Sequence, residues 1–423
     1  GSGKVETATG ECSFFLGKYS HKAMITGLVP GRSYEYRVGD RANNKWSDVG
    51  RFTVDDGDDE FTFIAVADPQ ASSDENFAQS AAVMDAALLT APDAEFYVDL
   101  GDYVNDCTME EWEYYFKNFG HIDAQLTHVP VAGNHDGNLR WGFFVNMFNL
   151  DCEDNWQTLT GAYYSFDWGS AHFAVLNTND MYPMQLEQIN WLKNDMNTTD
   201  KDWKIVLMHR SLYSAGKNIN KPDTIAMRET LLPVMDELGI DLVLSGHDHM
   251  YYRSKQVYGD AVAQCRYVYE KVDGRTTKCA VEPSGTVYIV ADTCGTKRYY
   301  VHEDAVEPIL QVADVASQPD ENKAGTDPDG LRCAMFTTVS FETGKLTFRA
   351  YTVEDGTGDT QLYDTYCIYK TPGQNSAEAD YSPLPTDSVG ISDDNFSHFV
   401  TKIIQMIWAY LTKLLPKALA GMF

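Results

Sequence analysis

Six apolar runs dominate the middle of the chain: FTFIAVA (61–67), EFYVDL (95–100), HVPVAG (128–133), AHFAVLNT (171–178), KIVLMH (204–209) and DLVLSG (241–246). Runs this short, with few polar interruptions, read as strands covered on both faces, as in a parallel sheet. SAAVMDAALLT, MQLEQINWLKNDM and AMRETLLPVMDELG carry helical spacing between them. Beyond residue 250 the pattern turns to β, with RYVYEKV, TVYIVAD, AMFTTVSFE, KLTFRAYTVE and TYCIYKT reading as further strands. That order predicts an α/β domain whose parallel strands come first and antiparallel strands later, in two sheets packed together.

The residues just past these runs are as informative as the runs themselves. Asp68-Pro69-Gln70, Gly101-Asp102-Tyr103-Val104-Asn105, Gly133-Asn134-His135-Asp136, His209-Arg210 and His247-Asp248-His249 all fall at or just beyond the ends of predicted strands. Open α/β sheets bind ligands at the carboxyl ends of their strands. Loops converging there pool carboxylates, an amide and imidazoles, the ligand set of hard-to-borderline divalent or trivalent metals. One Gly-Asp or one His-x-His is common by chance, and His209 alone fits a satisfied core histidine; five such motifs after successive strands form a specific pattern. His121, His128 and His172 lack that setting and are expected to be structural. The formal net charge of −29, from 62 acidic and 33 basic residues, repels nucleic-acid duplexes and anionic membranes at long range. A phosphate substrate therefore has to be attracted locally, for instance by metal ions.

In this order the motifs resemble those of the calcineurin-like metallophosphoesterase superfamily, and more closely its purple acid phosphatase branch with its bacterial relatives. TGLVPGRSYEYRVGD, with WS and F beyond it, is similar to the end of that branch's N-terminal fibronectin-like domain. YYSFDWGSAHFAVLNT, QLEQINWLKND and GHDHMYYR are similar to segments of its catalytic domain. The resemblance implies a four-layer α-β-β-α sandwich of two mixed sheets and a metal-dependent phosphoric ester hydrolase, acid phosphatase-like and acting on monoesters. It implies one metal ion on Asp68 and His249, a second on Asn134, His209 and His247, and Asp102 bridging them. Two divalent ions (Mn, Zn or Fe) about 3.5–4 Å apart clamp a phosphoryl group and activate a hydroxide for in-line attack. His135 suits the general acid for the leaving alkoxide, with Asp136 orienting its imidazole; loop capping is the competing role for Asp136.

Two departures from the branch stand out. Its metal-binding Tyr, three residues after the bridging Asp, is Asn105 here, and its Gly two residues after the first Asp is Gln70. Both side chains become candidates for weak oxygen ligands or for groups behind the ligands. Without a tyrosinate ligand the protein is expected to be colourless, with Tyr103 pointing away from the first metal. Lys217 and Asn218 stand where some purple enzymes carry histidines. Arg210, Lys217, Tyr103 and Arg253 are candidate phosphate contacts. Two rival functions remain: a nucleotide or cyclic-nucleotide phosphodiesterase, with Tyr251, Tyr252, Trp141 or Phe143 clamping the base, and a surface binding module with a structural metal site.

The flanks differ in character. The N-terminal segment alternates apolar and polar residues between PG and GD turns, which predicts part of an all-β sandwich; the resemblance implies that residues 1–56 are a partial fibronectin type III-like β domain packed on a catalytic domain at 57–372. A Pro-, Ser- and Asp-rich linker (373–394) and an amphipathic helix (395–423) should follow; the helix either docks on the domain, attaches peripherally to a membrane or mediates self-association. No apolar stretch is long enough for a transmembrane helix. Eight scattered cysteines without a Cys-x-x-Cys pair favour disulfides and a secreted or cell-surface protein, with Cys265–Cys279 the expected bridge. The opening Gly1-Ser2-Gly3 reads as an expression scar, so a targeting segment is expected to have been removed.

Overall fold

The computed structural model describes residues 7–137, 142–150, 156–158, 160–180, 186–299, 313–316 and 333–373. Two eight-stranded sheets form its body. The first runs Arg266–Val272, Arg275–Val281, Thr360–Tyr369, Lys345–Glu354, Cys333–Glu342, Phe61–Val66, Phe96–Asp99, Thr127–Pro130; the second runs Trp156–Thr158, Gly161–Trp168, Ala171–Leu176, Trp203–Arg210, Leu242–Gly246, Val287–Ala291, Tyr251–Ser254, Ala313–Ala316. The early strands pair in parallel within each sheet, and most of the later ones add on antiparallel, so both sheets are mixed.

Period-two alternation builds the layers. Phe63 and Phe96 of the first sheet meet Phe173 of the second edge-on, with ring centroids 5.6 Å apart in each pair, so these side chains fill the seam between the sheets. On the second sheet the alternate residues Ala174, Leu176, Val206, Met208 and Val243 join a separate core with the helices Leu186–Thr198 and Pro222–Leu238. The helices Asp74–Thr90 and Met109–Asp123 bury Phe77, Met84, Trp112 and Tyr115 in the larger core on the first sheet. Helices, sheet, sheet and helices thus stack in four layers. The helix Met109–Asp123 is absent from the sequence expectation, although Trp112, Tyr115, Phe119 and Ile122 recur at helical spacing and a capping box between Thr108 and Glu111 starts it.

Residues 11–53 form three separate two-stranded ribbons and no continuous sheet. They lean on the body through contacts that include Phe15 packing against Phe143, Ser20 Oγ donating to the Asn146 carbonyl at 2.7 Å, Lys22 Nζ donating to the Val145 carbonyl at 2.6 Å, and the Arg51 N–H donating to the Ala124 carbonyl at 2.7 Å. Phe14 and Tyr19 stay about two-thirds exposed. The expected linker, apart from its first residue, and the expected C-terminal helix lie outside the described residues. No helix among the described residues is long and apolar enough to cross a membrane.

The expected Cys265–Cys279 bridge needs correcting. The seven described cysteines are free thiols, and Cys152 lies outside the described residues. The hairpin register sets Cys279 opposite Val268, past Cys265, and Cys265 Sγ donates to the Arg266 carbonyl instead.

Candidate metal centre

Three of the strand-end loops turn through a left-handed residue: φ is +52° at Asp68, +56° at Asp102 and +72° at His247. Such conformations cost about 1–3 kcal/mol each and persist where surrounding structure fixes them. Two glycines let the backbone close around the carboxylates. A Cβ on Gly133 would lie 2.0 Å from the Asp102 nitrogen, and one on Gly246 would lie 2.6 Å from Asp68 Oδ2. No other residue fits there without moving a carboxylate.

The side chains converge at the seam. Asp102 Oδ1 accepts from the His135 N–H at 2.7 Å, and its Oδ2 faces His209 Nε2 at 3.3 Å and Gln70 Nε2 at 3.2 Å. His209 Nε2 also lies 3.2 Å from Asn134 Oδ1. The ligand atoms of Asp102, His209 and His247 lie within 4.8 Å of one another. Asp68 Oδ2 accepts from the His247 N–H at 2.8 Å, while its Oδ1 lies 3.4 Å from His249 Nε2. Backbone carbonyls hold the far sides of two rings: Leu100 O takes His209 Nδ1 at 2.8 Å, and Lys297 O takes His249 Nδ1. That pairing fixes the ring orientation and leaves each Nε2 facing the carboxylates, the usual arrangement behind a metal-ligating histidine.

The electrostatics suit a cation. Burial opposes ionisation of Asp102, yet His209, then His135 and His247, hold its carboxyl well below the usual range. Burial likewise works against a charged His209, but Asp102 and Asp68 outweigh it and raise that pKa to about 9. Burial, with help from His209 and Arg210, keeps His247 well below its ordinary value, hence neutral with a lone pair to give. Asp68 Oδ1 and Gln70 Oε1 are buried without a hydrogen-bond partner. Orphaned buried oxygens beside three imidazoles fit divalent cations, which would take the place of the shared protons.

Of the two roles expected for Asp136, its contacts match loop capping and not the orienting of His135. Its carboxylate accepts from the backbone N–H groups of Gly133 and Asp102 at 2.8 Å and of Tyr103 at 2.9 Å, and so clamps two ligand loops together. His135 Nδ1 instead faces the Asn105 carbonyl at 2.5 Å. Burial, then the neighbouring Asp102, push Asp136 up to about 8.

The proposed phosphate contacts divide. Tyr103 is fully buried against Trp112 and Tyr115, its hydroxyl donating to the Asp99 carbonyl at 3.2 Å, so it faces the core and not the site. Arg253 is buried too, bonded to Asp364 at 2.7 Å and to Asp314 at 2.8 Å. Arg210 is committed to Asp223. Lys217 alone remains exposed beside the site: its ammonium sits 3.7 Å above the centre of the Tyr299 ring, which stacks on His249 at 4.5 Å. Tyr299 went unnoticed in the sequence, although Asp292-Thr293 ends the strand Val287–Ala291 as Asp68 ends its own. Tyr251, Tyr252 and Phe143 are core residues and cannot clamp a base, and Trp141 lies outside the described residues. His121, His128 and His172 pair with Asp85, Asp123 and Asp167 away from the site.

Residues 61–251 match the family model of the calcineurin-like phosphoesterases, and residues 2–54 match that of the purple acid phosphatase N-terminal domain. Purple acid phosphatase 15 of Arabidopsis thaliana is 24% identical over 68% of this chain and 56% of its own length. Acid phosphatase type 7 of Danio rerio is 24% identical over 69% of the chain and 70% of its own length. Among solved structures, a purple acid phosphatase from yellow lupin seeds superposes with a TM-score of 0.69 at 16% identity, over 92% of this chain and 71% of that one. The chain thus spans little more than half the length of the plant relative.

Proposed function

Because the chain belongs to the calcineurin-like phosphoesterases, in their purple acid phosphatase-like branch, we propose that it hydrolyses phosphate esters at a centre of two divalent cations. Asp68 and His249 would hold one ion, Asn134, His209 and His247 the other, and Asp102 both. The observation that carries this reading is the position of Asp102, whose Oδ2 lies 3.3 Å from His209 Nε2 while its Oδ1 is fixed by the His135 N–H. When bound, such a pair supplies Lewis acidity at the phosphoryl group and a nucleophile at neutral pH.

The chain's own residues do the rest. His135 is half-buried, and the Asn105 carbonyl holds its Nδ1, so the proton passed to the leaving alkoxide resides on Nε2. Asp136 keeps the loops of Asp102 and His135 in register. Lys217 adds one positive charge beside His249. That favours a monoester, which carries two negative charges at neutral pH, over a diester, which carries one.

The test is turnover of an aryl phosphate monoester and its diester by the full chain, with Mn²⁺ or Zn²⁺ added or removed by chelation. Metal-dependent turnover, faster for the monoester, is the expected outcome. A protein that binds the metals and turns over neither ester would hold a structural site instead.

A further inference from the structure

The edge of the first sheet carries a second group of reactive side chains, far from the strand-end loops. Cys279 on the strand Arg275–Val281 and Cys367 on the strand Thr360–Tyr369 are register partners in a parallel pair. Register partners project to the same face. The preceding rung on that face shows how close they come, because Thr277 Oγ1 and Thr365 Oγ1 hydrogen-bond at 2.6 Å. Both thiols are fully buried and, with Val272 and Tyr369, form a small cluster apart from the main cores.

We propose that Cys279 and Cys367 form a disulfide when the chain matures in an oxidising compartment, stapling the 266–281 hairpin to the sheet. Neighbouring strands lie about 4.8 Å apart, inside the Cα separation that a disulfide spans. Such a staple would hold the hairpin: among the described residues Thr360–Tyr369 is its only neighbour in the sheet, and its outer strand is largely exposed. Glu270 brings a carboxylate oxygen within 4.8 Å of both sulfurs, which raises the alternative of a metal ion. That carboxylate is already engaged by Lys345 at 2.6 Å and by the Tyr369 hydroxyl at 2.5 Å, so a cation would have to displace an ammonium.

The chemistry is thiol–disulfide exchange with a disulfide of the glutathione class. One cysteine thiolate attacks that disulfide, expels one thiolate and forms a mixed disulfide. The second cysteine thiolate then displaces the remaining thiol. The two cysteines lose two protons and two electrons, and the oxidant leaves as two thiols. Burial keeps both thiols protonated once the hairpin has docked, which places closure during folding.

The full chain is to be refolded in a reduced and oxidised glutathione buffer, alkylated, and cleaved with trypsin without reduction. Peptide 279–297 should be joined to peptide 350–370, with a mass two hydrogens below their sum. Fragmentation must place the link on Cys279, because Cys294 shares its peptide. Reduction should lower the melting temperature of the oxidised protein by about 5 °C and leave a C279S/C367S variant unmoved. Alkylation of both thiols after refolding, a link to any other cysteine, or a stoichiometric metal released by thiol reagents would each overturn the proposal.

Discussion

The two sheets bring unlike groups to the same seam. The first delivers the oxygens: Asp68 after Phe61–Val66, Asp102 after Phe96–Asp99, and Asn134 with His135 after Thr127–Pro130. The second delivers the imidazoles: His209 at the end of Trp203–Arg210, then His247 and His249 after Leu242–Gly246. Neither half could hold cations well alone. Carboxylates alone would favour hard ions such as Mg²⁺ or Ca²⁺ over Zn²⁺ or Fe²⁺, and buried imidazoles without carboxylates would bring no charge to offset a dication. The site is therefore a product of sheet packing: Phe63, Phe96 and Phe173, which meet in the seam, set how far apart its two halves sit.

The sharpest way to break this comparison is Asp102, the oxygen-side residue that reaches furthest into the imidazole side. Asp102→Ala should lower turnover of an aryl phosphate by at least roughly 10³-fold and reduce bound metal, measured by kinetics and elemental analysis. Full metal content with parental turnover would show that the second sheet suffices.

His135 belongs to the first sheet, and the proposed role for it is proton transfer instead of ligation. His135→Ala should cut turnover by about 10²–10⁴-fold with metal content near normal. The loss should shrink for good leaving groups such as nitrophenolate, which need little protonation; an equal loss for alkyl and nitrophenyl phosphates would assign the residue another task. A smaller effect is expected at the rim of the second sheet. Lys217→Ala should raise KM for a monoester about tenfold, leave kcat within a factor of three, and change KM for a diester less. An unchanged KM for both would place Lys217 outside the substrate's reach.

Much of this division is legible in the amino-acid sequence. A buried parallel strand announces where it stops, because its apolar run ends, so Asp68, Asp102, Asn134, His209, His247 and His249 can be gathered as strand-end residues. Side-chain direction after the strand is not legible. Tyr103 lies next to Asp102 in sequence, yet the left-handed turn at Asp102 sends its ring into the aromatic core. Asp136 adjoins His135, but its carboxylate faces backbone N–H groups and not the imidazole. Register is equally hidden: composition around Cys265 and Cys279 reads as a hairpin, and only the pairing of Cys279 with Cys367 shows where a bridge fits. Tyr299 escapes notice because its loop follows a late strand, in a region whose pattern reads as antiparallel and remote.

The finest test asks whether a histidine on the second sheet behaves differently at the opposite end of a strand. His172 is the second residue of Ala171–Leu176, so it sits at the amino end of its strand, away from the loops that carry the candidate metal ligands. Its Nδ1 meets Asp167 at 2.7 Å and its Nε2 meets Asp195 at 2.8 Å, which leaves no lone pair for a metal. Burial works against the charged ring, but the two carboxylates outweigh it and raise the pKa to about 9. A folded-state value above the unfolded one means that the charged ring stabilises the fold fully below about pH 6.5, and that this contribution is lost as pH rises through about 9. The shift corresponds to at most about 3 kcal/mol, and the exposed side of Asp167 reduces that to about 1–2 kcal/mol. His172→Asn should therefore lower the melting temperature most near pH 6, with the gap to the parent narrowing towards pH 10, while metal content stays unchanged. A gap that is constant across this range would mean that His172 contributes packing alone, and a loss of metal would tie the amino end of the strand to the centre.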